Sequence, residues 1–252
     1  METVLETRNL RKVFSAGSRE QVLAVDDVSF TVGVGEKVAI IGESGSGKTT
    51  VAKLVTRLLA VTSGQIFLDG VDITNARGNT LKQAYRKMQM VFQSPIDSFD
   101  PRCTLGDGIA ESLRNHGATK AEAQAETARL LTLCGLRPNL ADCYPHEVSG
   151  GQCQRAAIAR ALAIAPQLLI LDEATSALDV TVQAEIMALL NRLQQELSMS
   201  YLFICHDIAL VQDFCDRVLV MKDGRIVEEG TAAAIIRHPQ IEYTQMLIDS
   251  VL

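Results

Sequence analysis

The sequence predicts an α/β domain, a largely parallel sheet covered by helices and interrupted by a helical insertion. Short β-type runs at 22–32, 37–41, 65–68, 88–92, 168–171, 201–205 and 217–221 alternate with helical patterns. Strands separated by helices pair in parallel. From about 97 to 165 the β-type runs stop and helical patterns take over, which marks the insertion. Length agrees, because 252 residues with 47% hydrophobic content can bury one large core with a sizeable insertion.

Within the insertion, Thr119 and Glu122 are spaced as a capping box ahead of an alanine-rich stretch, which predicts a helix start. After Asp179, the apolar residues Val182, Ile186, Leu189, Leu190, Leu193 and Leu197 recur at helical spacing. That pattern predicts an amphipathic helix laid on the sheet, with Glu185, Arg192 and Gln194 on its solvated face. The tail beyond Gly230 reads as short helices, and no internal repeat or low-complexity tract is visible.

A net charge of -6 gives no broad electrostatic footprint for nucleic acid, so nucleic acid is not expected as a partner. Residues 1–10 carry Glu2 and Glu6 and lack the basic stretch and apolar core of a secretion signal. The most apolar stretch, 156–171, is interrupted by Arg160 and Pro166, so no membrane span is expected. Any work at a membrane would then use spans supplied by other subunits. Six cysteines at 103, 134, 143, 153, 205 and 215 form no CxxC pair and no metal-ligand spacing, which predicts buried or half-exposed thiols in a reducing compartment.

The residues Gly42, Glu43, Ser44, Gly45, Ser46, Gly47, Lys48 and Thr49 match GxxxxGK[ST], after an apolar strand and before a helix, the context that a phosphate loop requires. Glycines admit close backbone approach, the following helix N-terminus turns its amides and dipole to phosphate, and Lys48 adds a mobile cation. Thr49 offers a hydroxyl to magnesium, and Thr50 completes the expected nucleotide contacts. The apolar run 168–171 ends at Asp172 and Glu173, two carboxylates where a buried strand emerges. Beside a phosphate loop, Asp172 helps hold hydrated magnesium and Glu173 polarises an attacking water as general base. Gln93 and His206 follow the runs 88–92 and 201–205, and both are expected at the sheet edge where ligands of open parallel sheets gather.

Val148-Ser149-Gly150-Gly151-Gln152 resembles the LSGGQ signature of ATP-binding cassette (ABC) proteins, with valine in place of leucine. The order phosphate loop, Gln93, signature, Asp172-Glu173, Ser176-Ala177-Leu178-Asp179 and His206 is similar to that of an ABC nucleotide-binding subunit over nearly the whole chain. The resemblance implies a P-loop NTPase (RecA-like) core, 1–96 and 166–252, with an antiparallel β-subdomain and a helical subdomain inserted at about 97–165. It implies Mg-ATP held between two head-to-tail subunits, with Ser149, Gly150, Gly151 and Gln152 of one facing the γ-phosphate on the other. It further implies Phe14 stacked on adenine, Lys48, Gln93, Glu173 and His206 as catalytic residues, and Thr49, Gln93 and Asp172 around magnesium.

The segment from Gln93 to Arg102, Gln-Ser-Pro-Ile-Asp-Ser-Phe-Asp-Pro-Arg, resembles the corresponding stretch of peptide and nickel importer ATPases. Tyr144-Pro145-His146-Glu147, His238-Pro239 and Tyr243-Thr244 resemble that subfamily too. An importer for peptides, nickel or metal-chelating small molecules is therefore implied, with a lean toward the nickel or metallophore type because no cysteine-bearing extension precedes the end at Leu252. The implied partners are two integral membrane permeases, a second ATPase subunit (a paralogue or another copy) and, indirectly, a solute-binding protein. The implied place is the cytoplasmic face of the inner (plasma) membrane. The competing readings are a soluble ABC ATPase acting on ribosomes or DNA, and an exporter subunit.

Overall fold

The computed structural model describes residues 2–16, 20–176 and 178–250, so Met1, Ala177 and Leu252 of the sequence reading lie outside the described residues. Two sheets face each other across α1 (Lys48–Val55). The larger has six strands in the order β10 (Arg225–Thr231), β9 (Arg217–Lys222), β3 (Lys37–Ile41), β8 (Ser200–Ile204), β7 (Leu168–Asp172) and β6 (Met88–Val91). All are parallel except β10, which pairs antiparallel with β9. The smaller is antiparallel, ordered β2 (Glu20–Gly33), β1 (Thr3–Ala16), β4 (Ser63–Leu68) and β5 (Val71–Asp72). The predicted runs at 22–32 and 65–68 thus belong to this second sheet, and the parallel sheet is built from the other five together with β10.

Period-two alternation of side chains divides the parallel sheet between two cores. Ala39, Ile41, Val91, Leu169, Leu171, Tyr201, Phe203, Val218 and Val220 face one core. Val38, Ile40, Met90, Leu168, Ile170, Leu202, Ile204, Leu219 and Met221 face the other. On the first face lie α3 (Leu105–Asn115), α4 (Lys120–Leu133), α5 (Gly150–Leu162), α6 (Val180–Leu197), α7 (Ile208–Phe214) and α8 (Ala232–Arg237). On the second lie α1, α2 (Gly78–Lys87) and the antiparallel sheet. A strand covered on both sides reads as a continuous apolar run, as β7 and β8 do, with every residue buried.

Between 97 and 165 the described residues hold α-helices and short 3-10 turns only. Helix α6 buries Ile186, Leu189, Leu190 and Leu193 as its spacing predicts and half-buries Val182, whereas Leu197, at the last position of the helix, is exposed. Gln194 departs from the expected solvated face, because it is half-buried and its amide donates to the Gly35 carbonyl at 2.8 Å. The tail beyond Gly230 forms α8 and α9 (Glu242–Asp249). Cys103 is exposed, whereas Cys134, Cys153, Cys205 and Cys215 are buried. Among the described residues no helix is long and apolar enough to cross a membrane.

The expected capping box opens α4. The Thr119 hydroxyl accepts the Glu122 N–H at 3.3 Å, and the Thr119 N–H donates to the Glu122 carboxylate at 2.8 Å. Loss of such a cap costs about 1 kcal/mol. Thr119→Ala should therefore speed hydrogen exchange in the first turn of α4 about fivefold, measured by exchange mass spectrometry, and unchanged exchange there would contradict the cap.

Candidate functional site

Four chain segments leave the parallel sheet at the same edge. Ile40 pairs with Ile204, Ile204 with Asp172, and Leu171 with Val91. The residues that follow β3, β8, β7 and β6, namely the loop 42–47, His206, Glu173 and Gln93, are thus delivered to one rim of the sheet. Such carboxyl-end rims are where open α/β sheets place ligands.

The loop turns sharply through Gly42, at φ 149°, and Gly47, at φ 105°. A Cβ at Gly42 would sit 2.1 Å from the Met221 carbonyl oxygen, and one at Gly47 would sit 2.4 Å from that of Ala24. Both approaches are to backbone, so only glycine fits. Helix α1 then begins, its first intrahelical bond running from the Val51 N–H to the Gly47 carbonyl at 2.9 Å. The amides of Lys48, Thr49 and Thr50 precede that bond and stay available to an anion. Lys48 is buried, its ammonium donating to the carbonyls of Gly42 at 2.8 Å and Glu43 at 2.7 Å. Burial pushes this ammonium below the usual lysine range, against the attraction of Glu173 and Asp172.

Thr49 and Asp172 meet, the hydroxyl donating to a carboxylate oxygen at 3.1 Å. Burial raises the Asp172 carboxyl above the ordinary carboxylate range, opposed by that hydrogen bond and reinforced by the nearby Glu173 charge. Glu173 takes a left-handed backbone, φ 47°, and its N–H donates to the Ile204 carbonyl at 2.9 Å. Its side chain is reached by Gln93, whose amide donates to a Glu173 carboxylate oxygen at 2.7 Å. A cavity of about 310 Å³ joins these groups, lined by Ala24, Ser44, Gly45, Gly47, Lys48, Thr49, Thr50, Gln93 and Glu173.

Gly42, Glu43, Ser46 and Asp172 sit just behind the lining, bonded to Lys48 or Thr49, whereas Phe14, His206 and the signature residues 149–152 lie apart from it. Phe14 is 40% exposed on β1, with the Lys12 ammonium 5.1 Å from its ring centre, so it is no core phenylalanine. His206 is exposed just beyond β8, and among the described residues no hydrogen bond joins its ring to Glu173 or Gln93. Ser149, Gly150, Gly151 and Gln152 open α5 as its own capping box, Ser149 accepting the Gln152 N–H at 3.2 Å and donating its own N–H to the Gln152 amide oxygen at 3.0 Å. None of the four lines the cavity. Two contributors carried no site signal in the sequence. Ala24, from the antiparallel sheet, forms a wall of the cavity, and Tyr243 accepts the Glu43 N–H at 3.1 Å.

The comparisons with known proteins agree with this geometry. The chain is 42% identical over 250 residues to the oligopeptide transport ATP-binding protein OppF of Streptococcus mutans, covering 98% of this chain and 81% of that protein. It is 43% identical over 258 residues to the oligopeptide transport ATP-binding protein AppF of Bacillus subtilis, covering 99% and 78% respectively. Among solved structures, a dimeric ATP-binding cassette in a post-hydrolysis state bound to ADP and Pi is similar at a TM-score of 0.83 and 31% identity, over 90% of this chain and 98% of that one. With the ABC transporter family profile matching residues 25–176, more than half of its length, the chain belongs to the ATP-binding subunits of ABC transporters.

Proposed function

We propose that this subunit drives a peptide importer, hydrolysing ATP held between its own phosphate loop and the signature of a second ATPase subunit. It works at the cytoplasmic face of the plasma membrane beside two permease subunits, with a solute-binding protein delivering cargo. The observation that carries the catalytic part is the convergence of the loop 42–49, Asp172, Gln93 and Glu173 on one rim. The loop amides and Lys48 bind and orient the phosphates, Lys48 exchanging the Gly42 and Glu43 carbonyls for phosphate oxygens. Gln93 fixes one Glu173 oxygen, which leaves the other to accept a proton from the attacking water. Phe14, exposed on β1, offers a ring face to adenine, and His206 approaches the γ-phosphate from the end of β8.

Thr49 and Asp172 present a hydroxyl and a carboxylate side by side, a hard-oxygen pair of the kind magnesium accepts while keeping water and phosphate as its other ligands. Thr49, Asp172 and Gln93 would hold the ion, which would supply charge neutralisation on the phosphates.

The signature residues lie outside the cavity of their own chain, which supports completion of the site by a partner. The similar cassette is itself dimeric. The proposed division is a core of 1–96 and 166–252 and a helical subdomain at about 97–165, whose surface, with Gln93, meets the permeases. Peptide as cargo is supported by two relatives named for oligopeptide transport at 42% and 43% identity and by the segment from Gln93 to Arg102. These relatives favour peptide over nickel or a metal chelate.

Glu173→Gln should leave ATP affinity within about twofold and lower turnover about 10²- to 10⁴-fold, measured by nucleotide titration and phosphate release. Turnover at the wild-type rate would remove Glu173 as the base. In cells, the same substitution should abolish uptake of a labelled oligopeptide and leave labelled nickel uptake unchanged. Loss of nickel uptake alone, or recovery of the tagged chain only with ribosomes or DNA, would overturn the import reading.

Asp172→Asn should separate stability from function. The unfolded chain gives up the Asp172 proton at a lower pH than the folded chain, so nucleotide-free stability falls as pH rises from the ordinary aspartate range to the raised one. The cost persists at neutral pH. Removing the charge should raise the nucleotide-free Tm by about 2–4 °C, on the order of 1 kcal/mol, while hydrolysis is lost. A lower Tm in thermal unfolding at neutral pH would count against the buried charge.

A further inference from the structure

Tyr243 belongs to a tail motif that the catalytic reading does not use, yet it reaches the phosphate loop from the far end of the chain. It lies in the first turn of α9 and is buried at 8% exposure, with the Lys222 ammonium 4.6 Å from its ring centre. Thr244 beside it is fully buried, so the start of α9 is seated in the protein. We propose that Tyr243 is a positioning residue of the nucleotide site: its hydroxyl accepts the Glu43 backbone N–H at 3.1 Å, and through this bond α9 holds the leading edge of the phosphate loop in binding shape.

The Tyr243 bond gains weight when phosphate arrives. Two side chains tie the leading edge, the Lys48 ammonium on the carbonyls of Gly42 and Glu43 and Tyr243 on the Glu43 N–H. The trailing edge is held separately, the Gly224 N–H donating to the Ser46 carbonyl at 3.0 Å. Two of the three Lys48 ammonium protons are on the Gly42 and Glu43 carbonyls and the third is on the Ser46 hydroxyl at 3.5 Å, so a Lys48 that turns to phosphate oxygens gives up its bonds to the loop. Tyr243 then remains as the side-chain tie on Glu43. Its hydroxyl therefore matters more with ATP bound than without.

The inference rests on the loop 42–49 as the phosphate site, so Lys48→Ala is measured beside Tyr243→Phe, which removes one oxygen and keeps the ring. Steady-state hydrolysis and nucleotide-free thermal unfolding are read for each. A held loop serves ground state and transition state alike, so its loss appears in KM rather than in kcat. Tyr243→Phe should raise KM for ATP about 2- to 10-fold, the worth of one neutral hydrogen bond, with kcat within about twofold and Tm within about 2 °C of wild type. An unchanged KM in Tyr243→Phe, with ATP binding lost in Lys48→Ala, would overturn the role of Tyr243 alone. A KM rise accompanied by a Tm fall well beyond that range would overturn it too, as a purely structural effect. Wild-type ATP binding in Lys48→Ala would overturn both the loop and the role built on it.

Discussion

The register of the parallel sheet is the constraint on which the rest of the molecule depends. Asp172 pairs with Ile204, and Ile204 with Ile40, so the carboxyl ends of β7, β8 and β3 stop level with one another. That level brings the Thr49 hydroxyl within 3.1 Å of the Asp172 carboxylate across 123 residues of sequence. A slip of one residue in β7 would exchange its two faces. It would put Leu169 and Leu171 into the core now filled by Leu168 and Ile170, and would carry Asp172 away from Thr49. The two apolar cores therefore enforce the geometry of the polar rim, because the register that buries every residue of β7 is the one that aligns the site.

The rim is polar in a costly way. Lys48 and Asp172 are both 5% exposed, and burial disfavours the charged form of each. Their mutual attraction and that of Glu173 offset part of the cost, and the loop carbonyls satisfy the ammonium. These partners are provisional, since carbonyls of the loop can be exchanged for phosphate oxygens without moving the sheet. A site held by fixed β-strands and filled with exchangeable hydrogen bonds can accept a highly charged ligand with little rearrangement of its frame.

The parts legible in the sequence were those whose chemistry is local. The glycines, Lys48 and Thr49 fall within one eight-residue stretch, and the strands that bracket the site are largely apolar, so both motif and edge could be read from the residues alone. The helix start at Thr119 and the buried stripe of α6 obey spacing rules that need no tertiary context. Strand β1 was not read, because its alternation is broken. Asn9 has a left-handed φ of 48°, and the pairing with β2 shifts between Thr7 and Leu10. Its buried positions, Val4, Leu5, Thr7 and Leu10, therefore do not keep a period of two. Strand β10 was missed for a related reason, as an edge strand whose register shifts between Ile226 and Glu228 and whose charged residues suit solvent. Ala24 and Tyr243 were invisible as site residues because an alanine in one sheet and a tyrosine in the last helix carry no nucleotide signal until the fold brings them to the loop.

In the proposed two-subunit arrangement, the signature at Ser149 would supply the half of the site that one chain lacks. Two helices begin with amides suited to phosphate, α1 at the loop and α5 at Ser149, and only the first opens on the cavity. The capping box uses the Ser149 oxygen as an acceptor and its N–H as a donor, but leaves the hydroxyl proton and the exposed Gly150 amide uncommitted. An exposed helix N-terminus with donors to spare is a binding surface for an anion that its own chain does not bring to it. A second subunit placed head to tail would bring its γ-phosphate there. The same anion would then lie between the positive ends of two helices from different chains, and its charge would favour closure while intact and release it once the phosphate is cleaved.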